Sequence, residues 1–296
     1  MESLTREAIY EILELADTMK ATRGRHDKLP LQGQCWALIF SKSSTRTRVS
    51  FEVGIRELGG SVMFLSSADI QLGRGEPIED TARVMGRMLD GAVIRTFLQS
   101  DVEVFAEYSQ IPTINALTDD EHPCQILADL QTIREKLGGV EGRTVCFIGD
   151  GACNVARSWI WAAARLDFEL RIAAPAGYQP EPAILEQAAK TGRIIVCEDP
   201  QEAVHGADVL YTDVWVSMGR EEEAAERLRA MAPYQINEAL VEAAEPGALV
   251  MHCLPAYRGK EITSEVFETH AATLFDQAEN RLHAQKAILQ LIARRS

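Results

Sequence analysis

The sequence predicts an α/β protein built from two doubly wound parallel-sheet domains of similar size. Short apolar, β-prone runs alternate with helix-prone segments along most of the chain, which is typical of parallel sheets with helices on their faces. The polar, glycine-rich segment Gly138–Arg143 interrupts this alternation near the middle, and 296 residues are enough for two domains. We therefore expect one domain over residues 1–137 and a second over residues 138–296.

The first half begins with an amphipathic helix, because apolar residues recur at helical spacing from Leu4 to Met19. The β-prone runs that follow are Cys35–Phe40, Ser61–Leu65, Ala92–Arg95 and Ile111–Ile114. The helix-prone segments are Thr45–Leu58, Ile78–Leu89, Val102–Tyr108 and Pro123–Leu137. Each strand is thus followed by a helix, as a parallel sheet requires.

The alternation restarts after the glycine-rich junction. Predicted strands lie at Thr144–Ile148, Glu169–Ala174, Ile194–Cys197, Val209–Thr212 and Ala248–His252. Predicted helices lie at Asn154–Arg165, Ala183–Lys190, Glu221–Met231, Asn237–Ala244 and Asp276–Ala293. Ligands of such sheets bind beyond the carboxyl ends of the strands, so residues that follow strands are the first candidates for a site.

Composition excludes several classes of protein. The net charge of −14 argues against non-specific binding to nucleic acid or to anionic membranes. The six cysteines are far apart and show neither a disulfide framework nor zinc spacing, so we expect reduced thiols and no metal. Acidic residues interrupt the apolar stretch of the first twenty residues, unlike a secretory signal, and no run is long enough to span a membrane. We expect a cytoplasmic protein.

An anion site is predicted directly after the first strand. The motif Ser44-Thr-Arg-Thr-Arg48 opens a helix, where unpaired backbone N–H groups and the helix dipole favour an anion. A helix cap would explain one hydroxyl, but not three hydroxyls and two arginines at one strand end. Ser44, Thr45, Thr47 and Arg46 are therefore predicted to bind phosphate.

Two further strand ends carry polar residues that could bind the rest of a small anion. Arg95 ends an otherwise apolar strand, and His122 and Gln125 lie at the start of the helix that begins with Pro123. A salt bridge and a proline-started helix with incidental polar residues would explain them equally well in isolation.

The turn from Gly149 to Asn154 has features of a dinucleotide-binding loop. That loop needs a third glycine where Asn154 stands, and the following strand lacks the acidic residue that binds a ribose. Nicotinamide or flavin binding is therefore disfavoured, and Asn154 at a helix start suits a carboxylate.

Two more strand ends complete the set. Asp213, followed by Ser217-Met-Gly219, could bind an ammonium group, although a turn with a helix cap is the simpler local interpretation. The segment His252-Cys-Leu-Pro255 suggests covalent catalysis, a buried structural thiol, or a sulfur that contacts a substrate amine. Because adjacent strand residues point to opposite faces, His252 and Cys253 are not expected to pair.

Together these segments resemble the aspartate/ornithine transcarbamylase family, and its ornithine-using branch in particular. The resemblance covers nearly the whole chain. The resemblance rests on Ser44-Thr-Arg-Thr-Arg48, the Ile-Gln-Leu-Gly segment with Gln71, Asp80-Thr-Ala-Arg-Val-Met-Gly-Arg87, His122-Pro-Cys-Gln125 and Phe275-Asp-Gln-Ala-Glu-Asn-Arg281. The ornithine branch is marked by Asp213 with Ser217-Met-Gly219 and by His252-Cys-Leu-Pro255. Cys153 stands where many members have asparagine.

The resemblance implies that the carbamoyl group of carbamoyl phosphate is transferred to the δ-amine of L-ornithine, giving L-citrulline and phosphate, without a cofactor. It implies a homotrimer or a multiple of trimers, and a C-terminal helix, about 276–296, that packs back on the first domain. The implied carbamoyl-phosphate ligands are Ser44, Thr45, Arg46, Thr47, Gln71 from a neighbouring subunit, Arg95, His122 and Gln125. The implied ornithine ligands are Asn154, Asp213, Ser217, Met218, Cys253 and Leu254, and the implied catalytic residues are Arg46, Arg95, His122, Cys253 and Arg281.

Three alternatives remain open at this stage. A sibling enzyme could use putrescine or an N-acylated ornithine, but Asp213 implies a free α-ammonium group. A nucleotide-dependent oxidoreductase is disfavoured by the missing glycine. A catalytically inactive relative could serve as a binding or regulatory subunit, against which the intact motifs argue.

Overall fold

The computed structural model describes residues 1–25, 29–66, 75–217, 219 and 221–293. Within these ranges the strands are β1 Cys35–Phe40, β2 Ser61–Ser66, β3 Gly91–Arg95, β4 Thr113–Leu117, β5 Thr144–Ile148, β6 Glu169–Ala173, β7 Arg193–Cys197, β8 Val209–Thr212 and β9 Leu249–His252. The α-helices are α1 Arg6–Ala21, α2 Thr45–Glu57, α3 Ile78–Met85, α4 Gln99–Ser109, α5 Pro123–Leu137, α6 Asn154–Arg165, α7 Pro182–Ala188, α8 Pro200–Val204, α9 Ala224–Met231, α10 Glu238–Ala243, α11 Ser264–Thr269 and α12 Ala271–Ala293. Short 3₁₀ helices cover Glu221–Glu223 and Ala232–Tyr234.

The chain divides into two compact units. The first, here called the four-strand unit, comprises Glu7–Ala128 and Glu279–Ser296. The second, the five-strand unit, comprises Met1–Arg6 and Asp129–Ala278. Two parallel sheets with flanking helices confirm the predicted fold class, and the domain boundary between residues 137 and 138 stays a prediction.

The sheet of the four-strand unit has the order β2-β1-β3-β4, with every neighbouring pair parallel. The strand order reverses between β1 and β3, which makes the loops after these two strands the expected ligand-binding loops of this unit. Apolar side chains of β1 and β3 pack on α3 and α4, with Phe105 fully buried among them. The register shifts between Ile94 and Arg95, where β3 meets the carboxyl end of β4.

The sheet of the five-strand unit has the order β7-β6-β5-β8-β9, again entirely parallel. Its strand order reverses between β5 and β8, which makes the loops after these strands the expected ligand-binding loops. Trp159 of α6 packs edge-on against Tyr211 of β8 and Phe168 and fixes this helix on the sheet.

Helix α12 returns to the N-terminal helices of the four-strand unit, as predicted. A Cβ on Gly54 of α2 would lie 3.2 Å from Lys286 Cγ, a tight contact, so the glycine favours this close approach of the two helices. The buried Lys286 ammonium donates to Glu57 Oε2 at 2.6 Å, and Lys20 of α1 donates to Asn280 Oδ1 at 2.8 Å. Both polar contacts satisfy groups that the helix packing removes from water.

Some predicted bounds were wrong. The fourth strand starts at Thr113, two residues later than predicted, because Gln110 adopts a left-handed φ of 59° and Pro112 has no N–H for a ladder. Helix α3 ends at Met85, four residues early, because Gly86 packs directly on the Ser109 carbonyl.

Further differences concern short and terminal helices. The predicted helix from Glu221 begins as a 3₁₀ turn, and the final helix starts at Ala271, five residues before the predicted Asp276. All six cysteines are free thiols. Among the described helices, none has the length and apolar character needed to cross a membrane.

Candidate active site

The predicted phosphate motif lies at the carboxyl end of β1, next to the reversal of strand order. Ser44 caps α2, its Oγ accepting from the Thr47 backbone N–H at 3.3 Å. The first helical turn thus presents Thr45 and Arg46 at a helix N-terminus, a favourable place for an anion. Arg48 takes a different role: its Nε donates to Glu52 at 2.7 Å and its guanidinium stacks over a ring of β2.

Arg281 of α12 joins two helix N-termini of this unit. Nη2 donates to Thr47 Oγ1 at 2.8 Å, and Nη1 donates to Gln125 Oε1 at 2.8 Å. All three side chains are buried. The planar guanidinium fork therefore holds the first turns of α2 and α5 together and places a positive charge beside both.

His122 lies directly before α5 and is buried, as is Arg95 at the end of β3. Burial, with Arg281 and Arg95 nearby, holds the pKa of His122 well below its usual range. The imidazole is therefore neutral at pH 7 and can donate one N–H to a carbonyl oxygen. The four-strand unit thus brings together Arg95, His122, Gln125, Thr47 and Arg281, which are scattered along the sequence.

In the five-strand unit, Asn154 is the first residue of α6, directly after the loop that follows β5. Cys153 is the cap, and its Sγ accepts from the Ala156 backbone N–H at 3.4 Å. Burial, with Asp213 and Asp150 nearby, raises the pKa of the Cys153 thiol well above its usual range. A neutral thiol is a weak acceptor, so this cap is weaker than an asparagine would be.

Asp213 and Cys253 meet at the carboxyl ends of β8 and β9. The Cys253 thiol donates to Asp213 Oδ1, with 2.8 Å between the heavy atoms, and the Val214 N–H donates to the same oxygen at 2.7 Å. Burial, with the Asp213 carboxylate adjacent, raises the pKa of the Cys253 thiol well above its usual range. A protonated thiol is a poor nucleophile, so covalent catalysis by Cys253 is disfavoured.

His252 and Cys253 hydrogen-bond to different groups and do not pair with each other, as predicted. Its Nδ1 accepts from the Leu254 N–H at 2.8 Å, so Nε2 carries the proton and faces Glu261 Oε1 at 3.3 Å. Leu254 has a left-handed φ of 56°, which costs a leucine about 1–3 kcal/mol. The hydrogen bond to the His252 ring therefore stabilises a strained turn at Leu254, the residue that follows Cys253.

Asp213, His252 and Cys253 also form a group whose potential metal-binding atoms lie within 4.8 Å of one another. Both ring nitrogens of His252 already have hydrogen-bond partners, and the thiol and carboxylate bind each other. This arrangement suits hydrogen bonding to an ammonium group better than coordination of a metal ion.

Two family models match this chain. The "Aspartate/ornithine carbamoyltransferase, carbamoyl-P binding domain" model matches residues 1–135, and the "Aspartate/ornithine carbamoyltransferase, Asp/Orn binding domain" model matches residues 141–292. The chain belongs to the aspartate/ornithine carbamoyltransferase family. The loops after β1 and β3 fall in the first match, and those after β5, β8 and β9 fall in the second.

Relatives within this carbamoyltransferase family are similar over almost their full length. The "Ornithine carbamoyltransferase" of Akkermansia muciniphila is 58% identical over 99% of this chain and 96% of its own. That of Methanothermobacter thermautotrophicus is 54% identical over 95% and 94%. Among solved structures, the anabolic ornithine carbamoyltransferase of Campylobacter jejuni has a TM-score of 0.94 at 41% identity, covering 100% of this chain and 98% of its own.

Lys42 is a buried cation beside the predicted phosphate motif that sequence reasoning missed. It lies between β1 and the Ser44 cap, its side chain is 6% exposed, and it forms an ion pair with Asp119. Its ammonium also lies 4.4 Å from the centre of the Phe97 ring. Lys42 thus links the loops that follow β1, β3 and β4. The sequence signal was a lysine placed just before a phosphate motif.

Sequence reasoning also missed Gln277 and Asp129, which support the backbone at His252. The Gln277 Oε1 accepts from the His252 backbone N–H at 3.0 Å, while its Nε2 donates to Asp129 Oδ1 at 2.7 Å. Both Gln277 and Asp129 are fully buried. No sequence pattern pairs residues 148 positions apart, although Gln277 lies in the Phe275–Arg281 motif quoted above.

Three predicted ligands remain. Ser217 is half-buried, four residues beyond Asp213. Gln71 and Met218 lie outside the described residues, so their roles stay predictions.

Proposed function

We propose that this chain transfers the carbamoyl group of carbamoyl phosphate to the δ-amine of L-ornithine, giving L-citrulline and phosphate. The observation that carries the proposal is the Asp213–Cys253 pair at the carboxyl edge of the five-strand sheet. A carboxylate held by a thiol and a backbone N–H presents its remaining lone pairs to an α-ammonium group. Relatives that are 50–58% identical over nearly the whole chain are named ornithine carbamoyltransferase, which supports the same substrate.

Carbamoyl phosphate binds to the four-strand unit in this proposal. Ser44, Thr45, Arg46 and Thr47 hold the phosphate through hydroxyls, a guanidinium and backbone N–H groups of α2. Arg95 and the neutral His122 donate to the carbamoyl oxygen. Gln125, oriented by Arg281, also donates to the carbamoyl group. These donors stabilise the oxyanion that develops during attack, which is commonly the largest contribution to catalysis.

Ornithine binds to the five-strand unit. Asn154 takes the α-carboxylate, Asp213 takes the α-ammonium, and Ser217 and Met218 shape that end. The Cys253 thiol and the Leu254 carbonyl contact the δ-amine. Because the thiol is protonated, it serves as a polar contact and not as a nucleophile.

The reaction is a direct transfer. The δ-ammonium first releases one proton to solvent. The amine nitrogen then forms a bond to the carbamoyl carbon, the bond from that carbon to the phosphate oxygen breaks, and the second proton of the attacking nitrogen passes to the departing phosphate. Arg46 and Arg281 stabilise the departing phosphate. Correct orientation of two small substrates can contribute about 7–11 kcal/mol to such a step.

The assembly and location follow the same family expectation. We propose a homotrimer or a multiple of trimers in the cytoplasm, with Gln71 completing the phosphate site of a neighbouring subunit. Large, mostly exposed apolar side chains at Val84, Met88 and Leu98 support subunit contacts of the four-strand unit. Light scattering should give a mass three times that of the 32.7 kDa chain, or a multiple of it. A monomer would refute this part.

The function is tested by citrulline formation from carbamoyl phosphate and ornithine. Arg46→Ala should abolish turnover, since it removes the phosphate ligand. Arg48→Ala is the matched control and should retain activity, because Arg48 binds Glu52 instead. An active Arg46→Ala enzyme, or a wild-type protein without turnover, would contradict the proposal.

A further inference from the structure

Arg227 of α9 is a buried cation with several partners in the five-strand unit. Its side chain is 9% exposed. Nη1 donates to Asp150 Oδ2 at 2.6 Å and to the Trp215 carbonyl at 3.4 Å, and Nε donates to Glu223 Oε2 at 2.8 Å. The guanidinium also lies 5.1 Å from the centre of the Tyr178 ring. These partners surround the guanidinium on several sides and fix its orientation.

These contacts connect the two loops that carry proposed ornithine ligands. Asp150 begins the loop after β5, and its second oxygen, Oδ1, folds that loop by accepting from the Ala152 N–H at 3.0 Å. The loop ends at Asn154. Trp215 lies two residues beyond Asp213 in the loop after β8. One guanidinium therefore spans the point where the strand order reverses.

The Asp150 turn is itself tightly packed. A Cβ on Gly151 would lie only 2.9 Å from Ile172 Cγ2, so the turn has little room to shift. Burial alone would lower the pKa of Arg227, but the hydrogen bonds that it donates to Glu223 and Asp150 outweigh burial and raise the pKa. The guanidinium is thus permanently charged against a fixed carboxylate.

We propose that Arg227 is a positioning residue for the amino-acid end of ornithine, an inference that rests on the proposed function. It holds the Asn154 loop and the Asp213 loop at a fixed separation. The distance between Asn154 and Asp213 then matches the spacing of the α-carboxylate and the α-ammonium, which are attached to the same carbon atom of ornithine. Arg227 acts through Asp150 and the Trp215 carbonyl and does not contact the substrate.

The test is a comparison of KM values for the two substrates in Arg227→Met. The KM for ornithine should rise about tenfold or more, while the KM for carbamoyl phosphate and kcat at saturating ornithine stay within about threefold. The inhibition constant of L-norvaline, which has the same α-groups but no δ-amine, should rise in parallel. Arg227→Lys should restore part of the affinity, because it keeps the charge but not the fork.

Arg143→Met is the matched control. Arg143 pairs with Asp208 at 2.8 Å and donates to the Leu137 carbonyl at 2.9 Å, but at the opposite, amino edge of the same sheet. Its removal should leave the KM for ornithine unchanged. Should Arg227→Met fail to fold, Asp150→Asn removes the same ion pair with little change in size and should give the same shift in KM.

The outcomes separate the two proposals. A wild-type protein that forms no citrulline would overturn the proposed function and this inference with it. An active wild type whose Arg227→Met variant loses kcat with unchanged affinity for ornithine and norvaline would overturn only the positioning role. A variant that behaves like Arg143→Met would do the same.

Discussion

Asp213→Asn is expected to weaken the recognition of ornithine while leaving the fold intact. The substitution keeps the shape of the side chain and an oxygen that can accept from the Val214 N–H. It removes the charge that the α-ammonium group would meet. A hydrogen bond between charged partners contributes about 1.5–3 kcal/mol, which corresponds to roughly a 10- to 150-fold fall in kcat/KM for ornithine.

The stability of Asp213→Asn should not fall with its activity. Burial raises the pKa of Asp213, so the ionised carboxylate is less favourable in the folded protein than in water. Asparagine removes that cost. We therefore expect the free energy of unfolding of Asp213→Asn to equal or slightly exceed that of the wild type.

The assay is initial-rate citrulline formation with each substrate varied, together with urea unfolding. Asp208→Asn is a control at the opposite, amino end of β8, because Asp208 directly precedes this strand and binds Arg143 and the Thr144 N–H, each at 2.8 Å. It should lose about 1 kcal/mol of stability with no change in the KM for ornithine. If Asp213→Asn kept wild-type kcat/KM for ornithine, or lowered both substrates' values equally, Asp213 would not bind the ammonium.

Three further predictions concern other parts of the site. Cys153→Asn replaces a weak cap by a strong one and should raise the free energy of unfolding by about 0.5–1 kcal/mol; a lower melting temperature would count against the cap. Arg281→Lys cannot reach both Thr47 and Gln125, so one charge-assisted hydrogen bond is lost and kcat should fall at least tenfold; an unchanged kcat would exclude a role in turnover. Because the folded pKa of His122 lies below its unfolded value of 6.5, stability should be complete above pH 6.5 and fall as the pH drops below it. Urea midpoints between pH 7.5 and 5.5 measure this fall, which His122→Gln should reduce; an equal fall in that variant would assign it to other groups.

Strong local signals made part of the fold predictable. The six-residue apolar run Cys35–Phe40 and the proline-started helix Pro123–Leu137 have their predicted bounds. Tertiary contacts decided the rest. Helix α3 stops where Gly86 meets the Ser109 carbonyl, and α8 and α11 are too short to show an apolar period.

The placement of candidate site residues was predictable where a residue lies directly after a strand. Asp213 follows β8 and Cys253 follows β9, and the parallel sheet brings them together. The sequence offered no way to pair Arg227 with Asp150 or Gln277 with Asp129, because these contacts depend on loop conformation and on which helix faces which strand. Supporting side chains of this kind are the ones that local patterns cannot reveal.

The most direct test of the account is a comparison of amines at saturating carbamoyl phosphate. Purified protein is given ornithine, putrescine, N-acetylornithine or aspartate, and the carbamoylated product of each is measured. We expect fast turnover with ornithine and little with the other three, because only ornithine presents an α-ammonium to Asp213, an α-carboxylate to Asn154 and a δ-amine to Cys253. Preferred turnover of another amine would contradict it.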